Sequence, residues 1–228
     1  MTIFLDAVGT LIRPSERVGQ TYARQLEELT GQTIQPDRMQ ETFQRLFARG
    51  SSPDYQRYCS GHAAERAWWS ELVWNVLVKA GVHQEMEGED GMFETFFNSL
   101  FQHYSSPSAW QLYPETMAFL EAACRLGPLA VLSNFDDRLK PVLDGLDIGL
   151  FFEHVFTSAE VQARKPDPIF FGRALERLNC APQDTFHCGD SFEADYQGAA
   201  FLGINAFHLT RPGRTLFDFL DFCQHDCR

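Results

Sequence analysis

The segment FLDAVGTLIRP, residues 4–14, joins the end of an apolar run to a loop that begins with one carboxylate, Asp6. The run starts at residue 2 and is too short for a helix, so it predicts a buried strand. Gly9 and Thr10 are small enough for a tight turn in which backbone N–H groups face an anion. A carboxylate beside such a turn can act as a covalent nucleophile, although the same pattern also occurs in ordinary strand-exit turns.

Three later segments share the features of this first run, because each is short, apolar and bounded by turn residues. They are PLAVLSN (128–134), DTFHCGD (184–190) and NAFHL (205–209). Such segments suit buried parallel strands. Helical patterns separate them, over residues 114–126, 136–147 and 168–179. Strands that alternate with helices predict an α/β fold with a mostly parallel sheet.

The stretch between the first strand and the second carries helix signals and no convincing strand. Its helical patterns cover residues 16–30, 36–50, 64–80 and 92–104. In the last two, aromatic and aliphatic residues recur at i, i+3 and i+4, as on the core face of a helix. We therefore expect an α/β core formed by residues 1–14 and 106–228, interrupted by a helical insert over residues 15–105.

Composition excludes several classes of protein. The 228-residue chain has a formal net charge of −12 and no Lys/Arg run longer than two residues, so we expect no nucleic-acid partner. The sequence has neither an 18-residue apolar span nor the basic and apolar regions of a signal peptide, which favours a cytoplasmic protein with no membrane partner. Six cysteines without a CxxC pair argue against a zinc site. A small-molecule partner is the more natural expectation.

Polar residues stand at the ends of the predicted strands, where parallel sheets bind their ligands. Ser133 and Asn134 could hold phosphate oxygens without adding charge, or could cap the helix that follows. Asp190 and Asp195 suit Mg²⁺, which prefers carboxylates and waters, while Asp190 alone could be a helix N-cap. Lys165 lies in ARKPDP, a loop stiffened by two prolines, where it could hold a positive charge near phosphate or simply be solvated.

These elements, taken in order, resemble the four motifs of the haloacid dehalogenase (HAD) superfamily. The matching segments are DAVGTL, LSNFD, RKPDP and CGDSFEADYQGA, and a helical insert after the first is typical of the C1 cap class. The chain is also similar to the branch represented by haloacid dehalogenase-like hydrolase domain-containing protein 3. The segments that carry this similarity are RPSERVGQTYA (13–23), AWW (67–69), SNFDDRL (133–139) and DYQGA (195–199). The resemblance implies a Rossmann-like HAD core with an inserted all-helical C1 cap.

The resemblance also implies a role for each site residue. It makes Asp6 the nucleophile and assigns binding of the transferring phosphoryl group to Lys165 and Ser133, with Thr10 and Asn134 beside them. It further implies an Mg²⁺ cofactor. The implied metal ligands are Asp6, the Val8 backbone carbonyl and Asp190, with Asp195 supporting the metal's waters or orienting Lys165.

Val8 departs from the usual pattern. HAD phosphatases generally have a second Asp at this position, which protonates the leaving oxygen and later activates water, and valine can do neither. General acid–base catalysis contributes about 10² to 10⁴ in rate, so its loss penalises poor leaving groups most. We therefore expect an Mg²⁺-dependent phosphatase that forms an aspartyl-phosphate on Asp6, acts on a phosphorylated metabolite, and has weakened acid–base catalysis.

Four alternatives remain open at this point. A haloacid dehalogenase, whose first motif resembles DAYGTL, needs no acid, but those enzymes lack a metal-binding Asp at the Asp190 position. A phosphonate hydrolase would need a cap lysine, and the predicted cap contains only Lys79. The third alternative is phosphoryl transfer from substrates with good leaving groups, or with an acid supplied by the substrate or by the cap. The candidate cap acids are Glu16, Asp54, His62 and Glu65. The last alternative is a phosphate- or metabolite-binding protein with impaired catalysis.

Overall fold

A computed structural model describes residues 1–86 and 91–225, with the side chain of Glu85 excepted. The chain divides into two compact units. One consists of Met1–Arg13 and Gln111–Arg228, and the other of Pro14–Trp110. No helix within the described residues is both long and apolar enough to cross a lipid bilayer.

The first unit is built on a five-stranded parallel sheet. The strands of the chain are β1 (Thr2–Leu5), β2 (Ile12–Pro14), β3 (Trp110–Leu112), β4 (Leu129–Ser133), β5 (Phe152–Thr157), β6 (Thr185–Gly189) and β7 (Asn205–His208). The sheet has the order β5-β4-β1-β6-β7, whereas β2 and β3 pair with each other where the chain passes between the units. In the sheet, Leu5 lies opposite Val131 of β4 and Cys188 of β6. The residues that follow β4, β1 and β6 therefore emerge side by side at one edge.

Helices complete both units. They are α1 (Val18–Thr30), α2 (Pro36–Phe47), α3 (Gly61–Ala80), α4 (Met92–His103), α5 (Thr116–Ala123), α6 (Leu139–Gly145), α7 (Ser158–Val161), α8 (Pro168–Arg177), α9 (Gly198–Phe201) and α10 (Leu216–His225). Helices α1 to α4 belong to the Pro14–Trp110 unit, and α5 to α10 to the sheet unit. A π-helical turn over Phe192–Gln197 leads into α9. The predicted α/β class with an inserted helical segment is confirmed.

The sheet unit has a hydrophobic core of its own. All four residues of β1 and all five of β4 are buried, as their uninterrupted apolar sequences predict. Phe4 and Leu132 from these strands pack with Phe170 and Phe171 of α8. Strand β5 was not among the predicted strands. It forms one edge of the sheet, where Glu153 is exposed and His154 half-buried, so its sequence lacks a continuous apolar run.

The helical unit has a separate core. Leu26 of α1, Met39 of α2, Val76 of α3 and Phe96 of α4 are almost fully buried in one cluster. Each helix begins and ends within a few residues of its predicted bounds, and α1 and α3 stop directly before Gly31 and Gly81 as expected.

Candidate active site

Three carboxylates converge at the edge of the sheet where β1 and β6 end. Asp6 directly follows β1, Asp190 directly follows β6, and Asp195 lies in the π-helical turn. Each offers a carboxylate oxygen, and these oxygens all lie within 4.8 Å of one another. Asp6 and Asp195 are buried, whereas Asp190 is exposed. The structure thus brings together the acids that the sequence singled out.

Lys165 supplies a positive charge to this cluster. Its Nζ donates to Asp6 Oδ1 at 2.8 Å, to Asp195 Oδ1 at 2.5 Å and to the Leu132 carbonyl oxygen at 2.6 Å. These bonds use all three ammonium hydrogens. The lysine is only 4% exposed, so the alternative of a solvated surface lysine is wrong.

Asp195 is the hydrogen-bonding centre behind the site. Besides Lys165, its Oδ1 accepts from His187 Nε2 at 3.1 Å, and its Oδ2 accepts from the Ser191 backbone N–H at 3.0 Å. A Cβ on Gly189 would lie 2.1 Å from the Asp195 carboxyl carbon, so this strand position leaves no space for a side chain. Asp195 is therefore in direct contact with Lys165, whose ammonium group donates to it.

His187 is a site residue that the sequence reasoning did not identify. It is completely buried in β6, where its ring packs edge-on against Phe171 at 5.3 Å between centroids. The available signal was a histidine in the middle of an apolar strand, two residues before the glycine of the fourth motif. A buried polar group requires a hydrogen-bond partner, and that partner is Asp195.

The ionisation of the site follows from burial and crowding. Burial raises the pKa of Asp6 to about 7, with Lys165 opposing the rise and Asp195 and Asp190 adding to it. Desolvation also raises the pKa of Asp190 to about 6, with a further contribution from the Asp195 charge. Burial acts to raise the pKa of Asp195, but Lys165 and His187 outweigh it and hold that pKa below its usual range. The positive charge near Asp6 and Asp190 is thus too small to keep their pKa values in the usual range.

This charge imbalance fits a divalent cation. Carboxylate oxygens are the ligands that Mg²⁺ prefers, and a cation between them would reverse the rise in their pKa values. Asp6 and Asp190 are the better candidate ligands, because the Asp195 oxygens already accept three hydrogen bonds. The donor set therefore suits Mg²⁺.

The loop after Asp6 is a tight turn closed by its own backbone hydrogen bonds. The Gly9 N–H donates to the Ile12 carbonyl at 2.8 Å, and the Thr10 N–H donates to the Ala7 carbonyl at 3.3 Å. Both amides are therefore engaged within the loop. That other backbone N–H groups of this turn face an anion stays a prediction. The buried Thr10 hydroxyl instead donates to Asp6 Oδ2 at 3.1 Å. Val8 is half-buried and pairs with Ile12 in an isolated bridge.

Asn134, which was expected to contact phosphate, bonds the backbone of Lys165 in this structure. Its Nδ2 donates to the Lys165 carbonyl at 2.8 Å, and its Oδ1 accepts from the Lys165 N–H at 2.7 Å. The amide thus holds the Lys165 backbone, which also excludes it as a cap of α6. Ser133, the last residue of β4, is buried opposite Thr157 of β5.

The alternative that made Asp190 a helix N-cap is also wrong. The N-cap of the π-helical turn is Ser191, whose side chain accepts from the Ala194 N–H at 3.1 Å. Asp190 is thereby left at the mouth of the carboxylate cluster.

The proposed substitute acids lie in the helical unit, where most have local partners. Glu16 accepts from Arg24 and from the Thr21 hydroxyl, both at 2.8 Å. Asp54 accepts the backbone N–H groups of Gln56 and Arg57. The buried Glu65 accepts from the Tyr55 hydroxyl at 2.6 Å. The centroids of the His62 and Phe101 rings lie 6.5 Å apart. Lys79 is exposed at the end of α3.

Comparison with known proteins agrees with the motifs. The family model described as haloacid dehalogenase-like hydrolase matches residues 1–203. The chain is 31% identical over 209 residues to Haloacid dehalogenase-like hydrolase domain-containing protein 3 of Bos taurus, an alignment that covers 91% of this chain and 80% of the relative.

Solved structures share the fold at low identity. A HAD phosphatase from Thermococcus onnurineus superimposes with a TM-score of 0.65 at 22% identity, covering 97% of this chain and 96% of that one. The L-2-haloacid dehalogenase from Xanthobacter autotrophicus gives 0.67 at 19% identity, covering 92% and 77%. Because the two scores are nearly equal, the fold does not separate phosphatase from dehalogenase chemistry, and the side chains of the site have to be used instead.

Proposed function

Since this chain belongs to the haloacid dehalogenase-like hydrolase family, in the branch of the domain-containing protein 3 relatives, we propose that it is an Mg²⁺-dependent phosphatase limited to good leaving groups. One observation carries the proposal. Lys165 bridges Asp6 and Asp195, while Asp190 lies within reach of both carboxylates. A nucleophilic carboxylate, a fixed ammonium and a second acid are the groups that phosphoryl transfer through an aspartyl-phosphate requires. The substrate class is a phosphorylated small molecule.

In the proposed reaction, a carboxylate oxygen of Asp6 attacks phosphorus. The new O–P bond replaces the bond to the leaving oxygen, which departs with the bonding electron pair. Water then attacks the phosphorus of the aspartyl-phosphate, and the bond between that phosphorus and the Asp6 oxygen breaks. Asp6 leaves as a carboxylate, and both protons of the water stay with the released phosphate. Lys165 can offer its charge to the phosphate oxygens after exchanging one of its three hydrogen bonds. Ser133 and Thr10 are proposed as neutral phosphate contacts, although Thr10 would first have to release Asp6.

Asp6, Asp190 and the Val8 backbone carbonyl are the proposed holders of the metal. When bound, Mg²⁺ supplies positive charge to the phosphate oxygens and to the crowded carboxylates. In this proposal the sheet unit carries out the chemistry, and the helical Pro14–Trp110 unit serves as a C1 cap.

Val8 sets the proposed limit on leaving groups. An alkoxide leaving group must be protonated as it departs, whereas p-nitrophenolate or a carboxylate can leave unaided. Without an acid at position 8, rates with alkyl phosphates should fall by about 10² to 10⁴ relative to an enzyme that has one. Acyl and aryl phosphates should escape this penalty when the aspartyl-phosphate forms, whereas the later attack of water lacks a base at position 8 for every substrate.

The test compares hydrolysis of acetyl phosphate and p-nitrophenyl phosphate with that of glycerol phosphate, with and without Mg²⁺. We expect Mg²⁺-dependent activity with the first two only, its loss in Asp6→Asn, and extension to glycerol phosphate in Val8→Asp. A further arm offers a 2-chlorocarboxylate without Mg²⁺, where halide release would identify a dehalogenase instead. Absence of hydrolysis by both the native protein and Val8→Asp would reject the phosphatase.

A second candidate is a phosphate- or metabolite-binding protein, and Val8 together with the fully bonded Lys165 favours it. Orthovanadate, which mimics the phosphoryl group in the transition state of its transfer, distinguishes the two functions. Mg²⁺-dependent binding of vanadate without hydrolysis of any ester would identify the binding protein.

A further inference from the structure

Arg211, which follows β7, reaches back to the loop after Asp6. Its Nη2 donates to the Thr10 carbonyl oxygen at 2.9 Å, and its Nε lies 3.4 Å from the Gly9 carbonyl oxygen. The arginine and these acceptors are 201 and 202 residues apart in the chain. One side chain from the far end of the sheet unit thus holds two successive carbonyls of the nucleophile loop.

Arg211 is itself held in place by two neighbours. Its Nη1 pairs with Glu115 Oε1 at 2.5 Å, and its guanidinium carbon lies 3.7 Å from the centre of the Tyr113 ring. The Arg211 and Glu115 side chains are 20% and 17% exposed, so the pair is mostly shielded from solvent. Each of the three guanidinium nitrogens has its own acceptor. A lysine ammonium lacks the planar fork that makes this possible.

The carbonyls that Arg211 holds belong to the part of the loop that lies against both Asp6 and Asp190. The Thr10 hydroxyl donates to Asp6 Oδ2 at 3.1 Å. Gly9 has a φ of +96°, and Asp190 Oδ2 lies 2.3 Å from where a Gly9 Cβ would stand. A shift of the Gly9–Thr10 backbone would therefore alter a hydrogen bond of Asp6 and the space that Asp190 occupies.

We propose that Arg211 is a positioning residue of the active site, which acts through the Gly9 and Thr10 carbonyls to fix the separation of the Asp6 and Asp190 carboxylates. The inference deepens the proposed function and rests on it, because the separation matters most when the two carboxylates share a metal ion. Outer partners that orient metal ligands contribute about 10- to 100-fold to metal affinity or activity.

The test uses Arg211→Ala and Arg211→Lys in the full chain, with Arg214→Ala as the matched control. Arg214 is an exposed arginine three residues further on, and its Nη1 donates to the His208 carbonyl. Hydrogen exchange of the peptide covering residues 7–12 reports on the loop, and calorimetric titration with Mg²⁺ reports on the carboxylates. We expect both Arg211 variants to exchange faster in this peptide and to bind Mg²⁺ about 10- to 100-fold more weakly. Arg214→Ala should match the native protein in both measurements.

Chemical rescue separates positioning from general stability. Guanidinium ion, below the concentrations that unfold the protein, should restore Mg²⁺ affinity to Arg211→Ala, whose side-chain space is empty, and not to Arg211→Lys. Unchanged loop exchange in the two Arg211 variants would overturn the inference, whatever the hydrolytic activity. If the native protein binds Mg²⁺ but hydrolyses nothing, the proposed function fails, and the loop exchange and Mg²⁺ affinity of the Arg211 variants still decide whether Arg211 positions the two carboxylates. If Arg211→Ala does not fold, the loop exchange of Arg211→Lys decides.

Discussion

Four charged side chains determine how the site responds to pH. Burial lowers the pKa of Lys165, but Asp195 and Asp6 more than compensate and raise it above its usual range, so the ammonium stays charged. Asp195, whose pKa is lowered by Lys165 and His187 against the effect of burial, stays ionised. The groups left to gain or lose protons near neutrality are Asp6, with a pKa of about 7, and Asp190, with a pKa of about 6.

These shifts predict how Mg²⁺ stabilises the protein at different pH. The folded protein keeps a proton on Asp6 up to about pH 7, whereas the unfolded chain releases it near the ordinary value of 3.8. The contribution of Asp6 to the unfolding free energy of the metal-free protein therefore falls as the pH rises from 3.8 to about 7. Mg²⁺ competes with these protons, so its stabilising effect should grow from about pH 5 to about pH 8. At a hundredfold excess over Kd the gain is about 2.7 kcal/mol.

Thermal unfolding with and without Mg²⁺ at the two pH values measures this effect. A gain of about 2.7 kcal/mol corresponds to roughly 5–10 °C in Tm for a chain of this size. Asp190→Asn is the control, because it removes a proposed ligand and should abolish the Mg²⁺-dependent shift at both pH values. An equal shift at both pH values in the native protein would contradict the assignment of Asp6 and Asp190 as ligands.

At the level of single residues, the location of side chains that follow strands was easier to predict than the hydrogen-bond partners of individual side chains. Asp6 and Asp190 follow adjacent parallel strands, so their proximity follows from the sheet alone. The hydrogen bonds of Asn134 to the Lys165 backbone were not predicted, because a side-chain amide bonds equally well to a ligand or to a neighbouring backbone. Arg211 carried no signal, because its contacts span 201 and 202 residues of sequence and no local pattern records them.

At the scale of elements, the loop after Asp6 is constrained at Gly9. Its φ of +96° is unfavourable for residues with a side chain, and the place of a Cβ is taken by the Asp190 carboxylate. A carboxylate at the end of a side chain can move aside, whereas the backbone cannot. A methyl group at position 9 should therefore displace Asp190 more than it disturbs the fold.

Gly9→Ala tests this expectation, and Gly31→Ala is its matched control. Gly31 also has a positive φ, of +73°, but nothing lies within 4 Å of a Cβ built there. Both variants should lose about 1–2 kcal/mol of unfolding free energy through backbone strain. Only Gly9→Ala should also bind Mg²⁺ more weakly, by about tenfold or more. Denaturant titration and calorimetry measure the two quantities, and native-like Mg²⁺ affinity in Gly9→Ala would show that the close approach to Asp190 is irrelevant.

The elements themselves were predicted where sequence patterns are strong. Strands β1, β4, β6 and β7 have short apolar runs that end in polar residues, and α1 and α3 end directly before glycines. Strand β5 escaped prediction because its place at the edge of the sheet relaxes the need for apolar residues on both faces. Residues Phe192–Gln197 form a π-helical turn. Short π-helical turns are common at functional sites, and this one contains Asp195.

At the scale of the whole molecule, each unit has an interior of its own. The cluster around Phe4, Leu132 and Phe171 lies within the sheet unit, and the cluster around Leu26, Val76 and Phe96 lies within Pro14–Trp110. Apolar burial is the main favourable term in folding, so a segment that contains its own cluster has the basis for folding alone. The insertion of one unit into the other then need not compromise either core.

A peptide of residues 14–110 should accordingly fold without the rest of the chain. We expect a helical circular dichroism spectrum and a cooperative thermal transition. Phe96→Ala removes a side chain that is 1% exposed and should cost about 3–5 kcal/mol, enough to unfold a small domain of marginal stability. Phe47→Ala, at a position that is 46% exposed, is the matched control and should cost much less. A peptide without a cooperative transition would mean that the helical unit depends on the sheet unit for its stability. Equal losses in the two variants would mean that the buried cluster around Phe96 does not stabilise the peptide.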